Sequence, residues 1–228
     1  MKLCMFHPRG VPLERGWVGR VDGDRVVHLA AQTLQSFFLG GGRAREHAEF
    51  PLEEVTFLAP VPHPPVVRVF DAPHAFSFAN ASAITGSGST VMPPSETLSL
   101  VLRLALVVAD AGRIGGYSIF VECQAPGLPA PKDRDFGLIL GPVVVTPDEC
   151  EAEDLAVTVR GSGEDILQAC TDRFEWDAAV AHAEAGTVLR PGDVVAGPAF
   201  CSVPRHAPSA TEIEVGGIGT LRVVLGVA

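Results

Sequence analysis

Alternation of apolar and polar residues runs along the chain from its first residues. Lys2 to Phe6, Gly16 to Val21 and Arg25 to Leu29 read as strands. Asp22-Gly23-Asp24 between the last two is a hairpin signal, because an Asp-Gly pair adopts the positive φ of a tight turn. Ala30 to Phe38 reads as a short helix ahead of the Gly40-Gly41-Gly42 break. FPLEEVTFLAPVPHPP then reads as a connecting strand ending in prolines, which places a boundary near residue 60. Beyond it, Val66 to Phe70, Leu98 to Val108, Gly116 to Val121, Phe136 to Val145 and Leu155 to Arg160 are apolar runs of strand length, and Gly161 to Glu164 is a turn. Asp172 to Ala185 carries a helical pattern, with Phe174, Val180 and Ala183 on one side. LRPGDVVAG reads as strand, turn and strand, and TEIEVGGIGTLRVVLG as two short strands about a Gly-Gly break. The pattern predicts a mainly β fold with some α (α+β), its sheet rolled or sandwiched. Two domains are expected, a small β-rich one over residues 1–60 and a larger one over residues 61–228.

Composition narrows the possible functions. With 228 residues, 47% apolar and 19% charged, the chain can bury a sizeable core, and its 24 glycines and 19 prolines suit many turns. No run approaches the roughly 20 apolar residues of a membrane span. MKLCMFHPRG lacks the apolar stretch of a secretory signal. The net charge of −10 is spread along the chain, which excludes the basic footprint that nucleic acid or an anionic membrane requires. The five cysteines are scattered without a CxxC pair, so reduced thiols and a cytoplasmic location are expected.

Several stretches, in order, resemble the fumarylacetoacetate hydrolase family. They are MKLCMFHPRG…GWVGRVDGDRVVHLA with FLAPVPHPP, then FSFANASAITGSGSTVMPP, then KDRDFGLILGPVVVTPDE, and finally DRFEWDAAVAHAEAGTVLRPGDVVAG with IEVGGIGTLR. The resemblance implies a mixed β-sandwich roll, a homodimer, and a site where one Mg²⁺ or Mn²⁺ chelates a small diketo or keto-acid substrate and stabilises its enolate. The family's ligands are a Glu-x-Glu pair on one strand and an Asp after a Gly-Tyr strand. Aligning Leu104-Ala105 and Gly116-Tyr117 with the family puts Val101 and Arg103 at the glutamates and Glu122 at the aspartate. One carboxylate of three remains, and an arginine charge within a few Å of Mg²⁺ costs several kcal/mol. The family's lid is reduced to Asp71-Ala72-Pro73-His74-Ala75, and its Gly-Ser-Gly-Thr becomes Ala196-Gly197-Pro198-Ala199.

These departures set the expected site. Glu122, Arg134, His74 and Asp71 are the candidate catalytic groups, and no metal ligand or other cofactor is expected. Arg103, Lys132, Tyr117, Phe76, Phe78 and Phe200 are the candidate substrate-binding residues. Arg103 and Glu122 are expected to pair in the space the metal leaves. Arg134 is suited to a carbonyl or enolate oxygen, in place of the family's lysine. Competing structural readings stand beside each: His74 as a loop histidine, Asp71 as a turn cap, residues 132–135 as a solvated loop, Tyr117 as packing. With the lid gone, an enlarged and more apolar pocket is expected, holding Arg103, Glu122 and Arg134 and touching His74 or Phe76–Phe78. Three functions fit: a metal-independent cyclase, isomerase or lyase for a bulky, oxygenated, polyketide-like intermediate of secondary metabolism; a metal-dependent hydrolase or decarboxylase rebuilt around Glu122 and Asp71; or a non-catalytic binding or partner subunit.

Overall fold

The computed structural model describes residues 1–227. Its elements run β1 (Lys2–Pro8), β2 (Trp17–Asp22), β3 (Arg25–Leu29), α1 (Leu34–Leu39), β4 (Glu46–Pro51), β5 (Val55–Phe57), β6 (Val67–Ala72), β7 (Ala75–Ala79), β8 (Ile84–Thr85) and β9 (Thr90–Val91). They continue with β10 (Thr97–Val108), β11 (Ile114–Gln124), β12 (Leu138–Val145), β13 (Ala156–Gly161), β14 (Glu164–Cys170), α2 (Trp176–Glu184), β15 (Val194–His206), β16 (Ser209–Val215) and β17 (Gly219–Leu225). A 12-stranded sheet has the order β4-β3-β2-β1-β12-β11-β10-β15-β6-β7, with β5 on β1 and β8 on β12. A 5-stranded sheet, β14-β13-β16-β17-β9, packs against it. The mainly β, two-sheet architecture read from the sequence is present. No described helix is long and apolar enough to cross a membrane.

β10 explains why the large sheet is central. Its continuous apolar run is buried on both faces. Leu98, Leu100, Leu102, Leu104 and Leu106 join Ile119 and Val121 of β11 in the core that faces the smaller sheet and α2. Ala105 and Val107 join Phe120 in a second core beneath α1 and β1–β3. The residue-60 boundary falls between β5 and β6, and β1 pairs with β12 there, so the first strands extend the large sheet.

Several elements differ from the sequence reading. α1 starts at Leu34 and not at Ala30, because Thr33 caps it: its hydroxyl accepts from the Ser36 amide, and Ser36 answers in a capping box. α2 starts at Trp176 and not at Asp172, because Thr171 is tied to Leu155 by two hydrogen bonds that keep this segment extended. β4 and β14 carry little apolar periodicity, since both are exposed edge strands that pair through the backbone. The turn at Gly161 to Glu164 does join β13 to β14, with Ser162 and Gly163 both at positive φ.

Candidate functional site

Arg103 and Glu122 lie on neighbouring antiparallel strands. Val101 pairs with Glu122 and Arg103 with Phe120, so Val101, Arg103 and Glu122 share one face. Both charged groups are buried, Arg103 at 5% and Glu122 at 2% exposure. Arg103 Nε lies 3.4 Å from Glu122 Oε2, the expected pair, although neither atom has an aligned hydrogen bond. The other end of the guanidinium meets three acceptors. Nη1 donates to the Phe70 carbonyl (3.2 Å) and the Gly197 carbonyl (3.0 Å), and Nη2 donates to Asp71 Oδ1 (3.3 Å). Glu122 Oε1 accepts from Gln124 Nε2 at 3.2 Å and lies 3.8 Å from Arg134 Nη1. Asp71, Arg103, Glu122 and Arg134 therefore form one cluster of two carboxylates and two guanidiniums.

Arg134 is the cluster's reach into solvent, half exposed while Glu122 is not. Its Nε and Nη2 both donate to Asp133 Oδ2. That hydrogen bond outweighs the opposing desolvation and, with the charges of Asp133, Glu122 and Asp71, raises the Arg134 pKa further. Lys132 stands apart, mostly exposed and paired with Asp135 at 2.7 Å.

The aromatic candidates fall elsewhere. Phe70 pairs with Phe76 across β6 and β7, and Asp71, at the register shift that follows, turns its carboxylate to Arg103. Phe76 thus packs with Phe70, His182 and Phe78 on the α2 side. His74, in the hairpin turn beyond Asp71, meets His182 with ring centroids 5.5 Å apart. The folding of α2 over this hairpin brings the two imidazoles together. Tyr117 is five residues from Glu122 and so on the opposite face of β11, buried against Trp176. It joins a packing cluster and not the charged one. Burial, aided by nearby acidic charges, pushes the Tyr117 pKa up to about 12. A raised folded value stabilises the native state fully below the unfolded pKa of about 10 and loses that contribution as pH rises from about 10 to 12. Because Tyr117 is the only tyrosine, phenolate absorbance should stay flat through pH 11 in the folded protein and appear near pH 10 in urea. Folded-state ionisation near pH 10 would contradict its burial.

On the other face of β10, against α2, the interior is closely packed. Beside the Gly197 carbonyl lies a void of only about 20 Å³, lined by Leu104, Phe174, Trp176, Pro198 and Phe200. Phe174 and Trp176 fill that space: a Cβ on Gly197 would sit 2.9 Å from the Trp176 ring. Phe200 thus lines a space for about one water, and the charged cluster does not line it. The cluster instead opens through exposed Asp71 and Arg134. A second buried pair was not legible in the sequence. Arg68 Nη1 lies 3.3 Å from Asp193 Oδ2, both nearly fully buried, and Asp193 also accepts from the Arg190 amide in the Pro-Gly-Asp turn. Arg68 lies 5.8 Å from the Phe76 ring and 5.7 Å from that of Phe78.

These residues do not fit a hard divalent cation. Among the described residues no three His, Cys, Asp or Glu side chains converge. Arg103 stands between Asp71 and Glu122, within 3.4 Å of each, and Val101 offers no oxygen. A cation there would face a buried guanidinium at contact distance.

Comparison with solved structures places the architecture. A maleylpyruvate hydrolase from Sphingobium sp. SYK-6, in complex with manganese(II) ion and pyruvate, superposes with a TM-score of 0.80 over 100% of both chains at 19% identity. The chain has the fumarylacetoacetate hydrolase fold. A 2-keto-3-deoxy-D-arabinonate dehydratase complexed with magnesium and 2,5-dioxopentanoate gives 0.79 at 18% identity, over 100% of this chain and 99% of that one. A 5-carboxymethyl-2-hydroxymuconate delta-isomerase from Mycobacterium smegmatis gives 0.76 at 20% identity over 100% of both. No protein-family model matches the sequence, and no curated protein matches it. A hydrolase, a dehydratase and an isomerase share this fold, so the fold does not name the reaction.

Proposed function

We propose that this protein is a metal-independent small-molecule enzyme of cyclase, isomerase or lyase type, acting on a bulky, oxygenated, polyketide-like intermediate of secondary metabolism. The observation that carries the reading is the buried Arg103 guanidinium held between Glu122 and Asp71. It supplies fixed positive charge where the family resemblance puts a cation. Arg134, half exposed and anchored by Asp133 and Glu122, binds a carbonyl or enolate oxygen through its free donors. Glu122 orients both guanidiniums. His74, at the exposed turn three residues beyond Asp71 and against His182, is the proton carrier of this proposal. The substrate then rests on an open face and not in an enclosed cavity. A rebuilt metal-dependent hydrolase using Glu122 and Asp71 is opposed by the guanidinium between them. A non-catalytic binding or partner subunit is the other reading, and a turnover assay separates it. We further propose a cytoplasmic homodimer, for which light scattering at micromolar concentration should give twice the 23.9 kDa chain mass.

Arg134 and Lys132 separate the readings. Binding of an aromatic β-diketone, benzoylacetone, should weaken roughly 10- to 100-fold in Arg134→Ala, as expected for a lost hydrogen bond to a charged group. Lys132→Ala should change it less than about twofold, because an exposed pair contributes little. Equal effects would reduce Arg134 to a surface charge. Binding without turnover of any diketone or polyketide mimic would favour the binding subunit.

A further inference from the structure

A cavity of about 610 Å³ lies away from the charged cluster. None of Asp71, Arg103, Glu122 and Arg134 lines it. Its volume falls in the range of small-molecule sites, roughly 300–1,000 Å³. The floor is apolar, from Met5 on β1, Leu58 and Ala59 in the connection after β5, and Ile84 of β8. Two close backbone approaches fix these walls. A Cβ on Gly86 would lie 2.4 Å from the Ala59 amide nitrogen, and one on Gly16 would lie 2.5 Å from Leu58 Cδ1. The loop between β1 and β2 forms the rim, with Leu13, Glu14 and Arg15 at the cavity. Gly10 and Gly16, at φ +76° and +68°, turn the chain at the two ends of this loop. Gly16 lets it descend onto Leu58.

The rim carries more basic than acidic groups. Arg15 is exposed and has no ion-pair partner among the described residues. His7 and His63 also line the cavity, and Glu14 is the one carboxylate that does. His7 Nδ1 lies 3.0 Å from the Pro8 carbonyl. It therefore serves as the donor there, which leaves Nε2 as the ring's free nitrogen. An apolar floor with an unpaired guanidinium at its mouth matches a ligand with an apolar body and one anionic end.

We propose that this cleft is a second binding site, for a small amphipathic organic acid. Its apolar body lies on Met5, Leu58, Ala59 and Ile84, and its carboxylate meets Arg15. This site is independent of the function assigned to the Arg103 cluster. The test uses 3-phenylpropanoate, 3-phenylpropan-1-ol and 3-phenylpropan-1-amine in amide NMR titrations of the full chain. The acid should saturate at millimolar concentration or below, about tenfold tighter than the amine, with shifts centred on residues 5–7, 13–16, 58–63 and 84–89. Arg15→Glu should abolish or invert the preference for acid over amine. Ser89→Trp, an exposed change at the rim, should weaken all three ligands. Equal binding of acid and amine, shifts centred on Arg103 and Glu122, or no saturable shift at about 10 mM would each overturn the proposal.

Discussion

Replacing Arg103 with methionine is expected to lower the unfolding free energy by about 3–5 kcal/mol, the usual result of removing one partner from a buried ion pair. Glu122 would stay buried at 2% exposure, with Gln124 and the more distant Arg134 as its remaining partners. Two backbone carbonyls, of Phe70 and Gly197, would also lose their donor. For a chain of this length the loss corresponds to a fall in Tm on the order of 10 °C. Asp71→Asn should change stability by less than about 1 kcal/mol, because Asp71 is 80% exposed and its pairing is screened. The double variant Arg103→Met with Glu122→Leu should recover most of the loss, since a buried pair replaced by apolar side chains is often neutral. Thermal and urea unfolding of the three variants measure this. An Arg103→Met protein as stable as its parent would mean that the guanidinium is not tied as described.

The strands near the site were legible because their apolar runs are long. Leu98 to Val108 and Gly116 to Val121 could be placed from their apolar runs, and the family resemblance at Leu104-Ala105 and Gly116-Tyr117 set Arg103 beside Glu122. The same alternation contains a signal against Tyr117 as a site residue, since an odd spacing from Glu122 sends it to the other face. What stayed hidden depends on contacts between distant segments. Arg68 and Asp193 meet because β6 runs parallel to β15, which no local pattern encodes. Phe174 and Trp176, which precede or open α2, close the space beside Gly197 on the face away from Arg103. β4 and β14 escaped because exposed edge strands need no apolar face. The cleft at Leu58 and Ile84 arises where a loop, a connection and a two-residue strand converge.

The metal content of the purified protein tests most directly whether Arg103 stands in a cation's place. Elemental analysis should find well under one equivalent of Mg²⁺, Mn²⁺ or Ca²⁺ per chain. Added Mn²⁺ at millimolar concentration should leave Tm unchanged, because a ligand that does not bind the native state cannot stabilise it. The variant Val101→Glu with Arg103→Glu provides the comparison, since it sets two carboxylates beside Glu122 on one face of β10 and β11. It should gain a Tm that rises with Mn²⁺ and falls again with EDTA. One tightly held equivalent of metal in the unmodified protein, stripped by EDTA with a drop in Tm, would contradict the metal-independent reading.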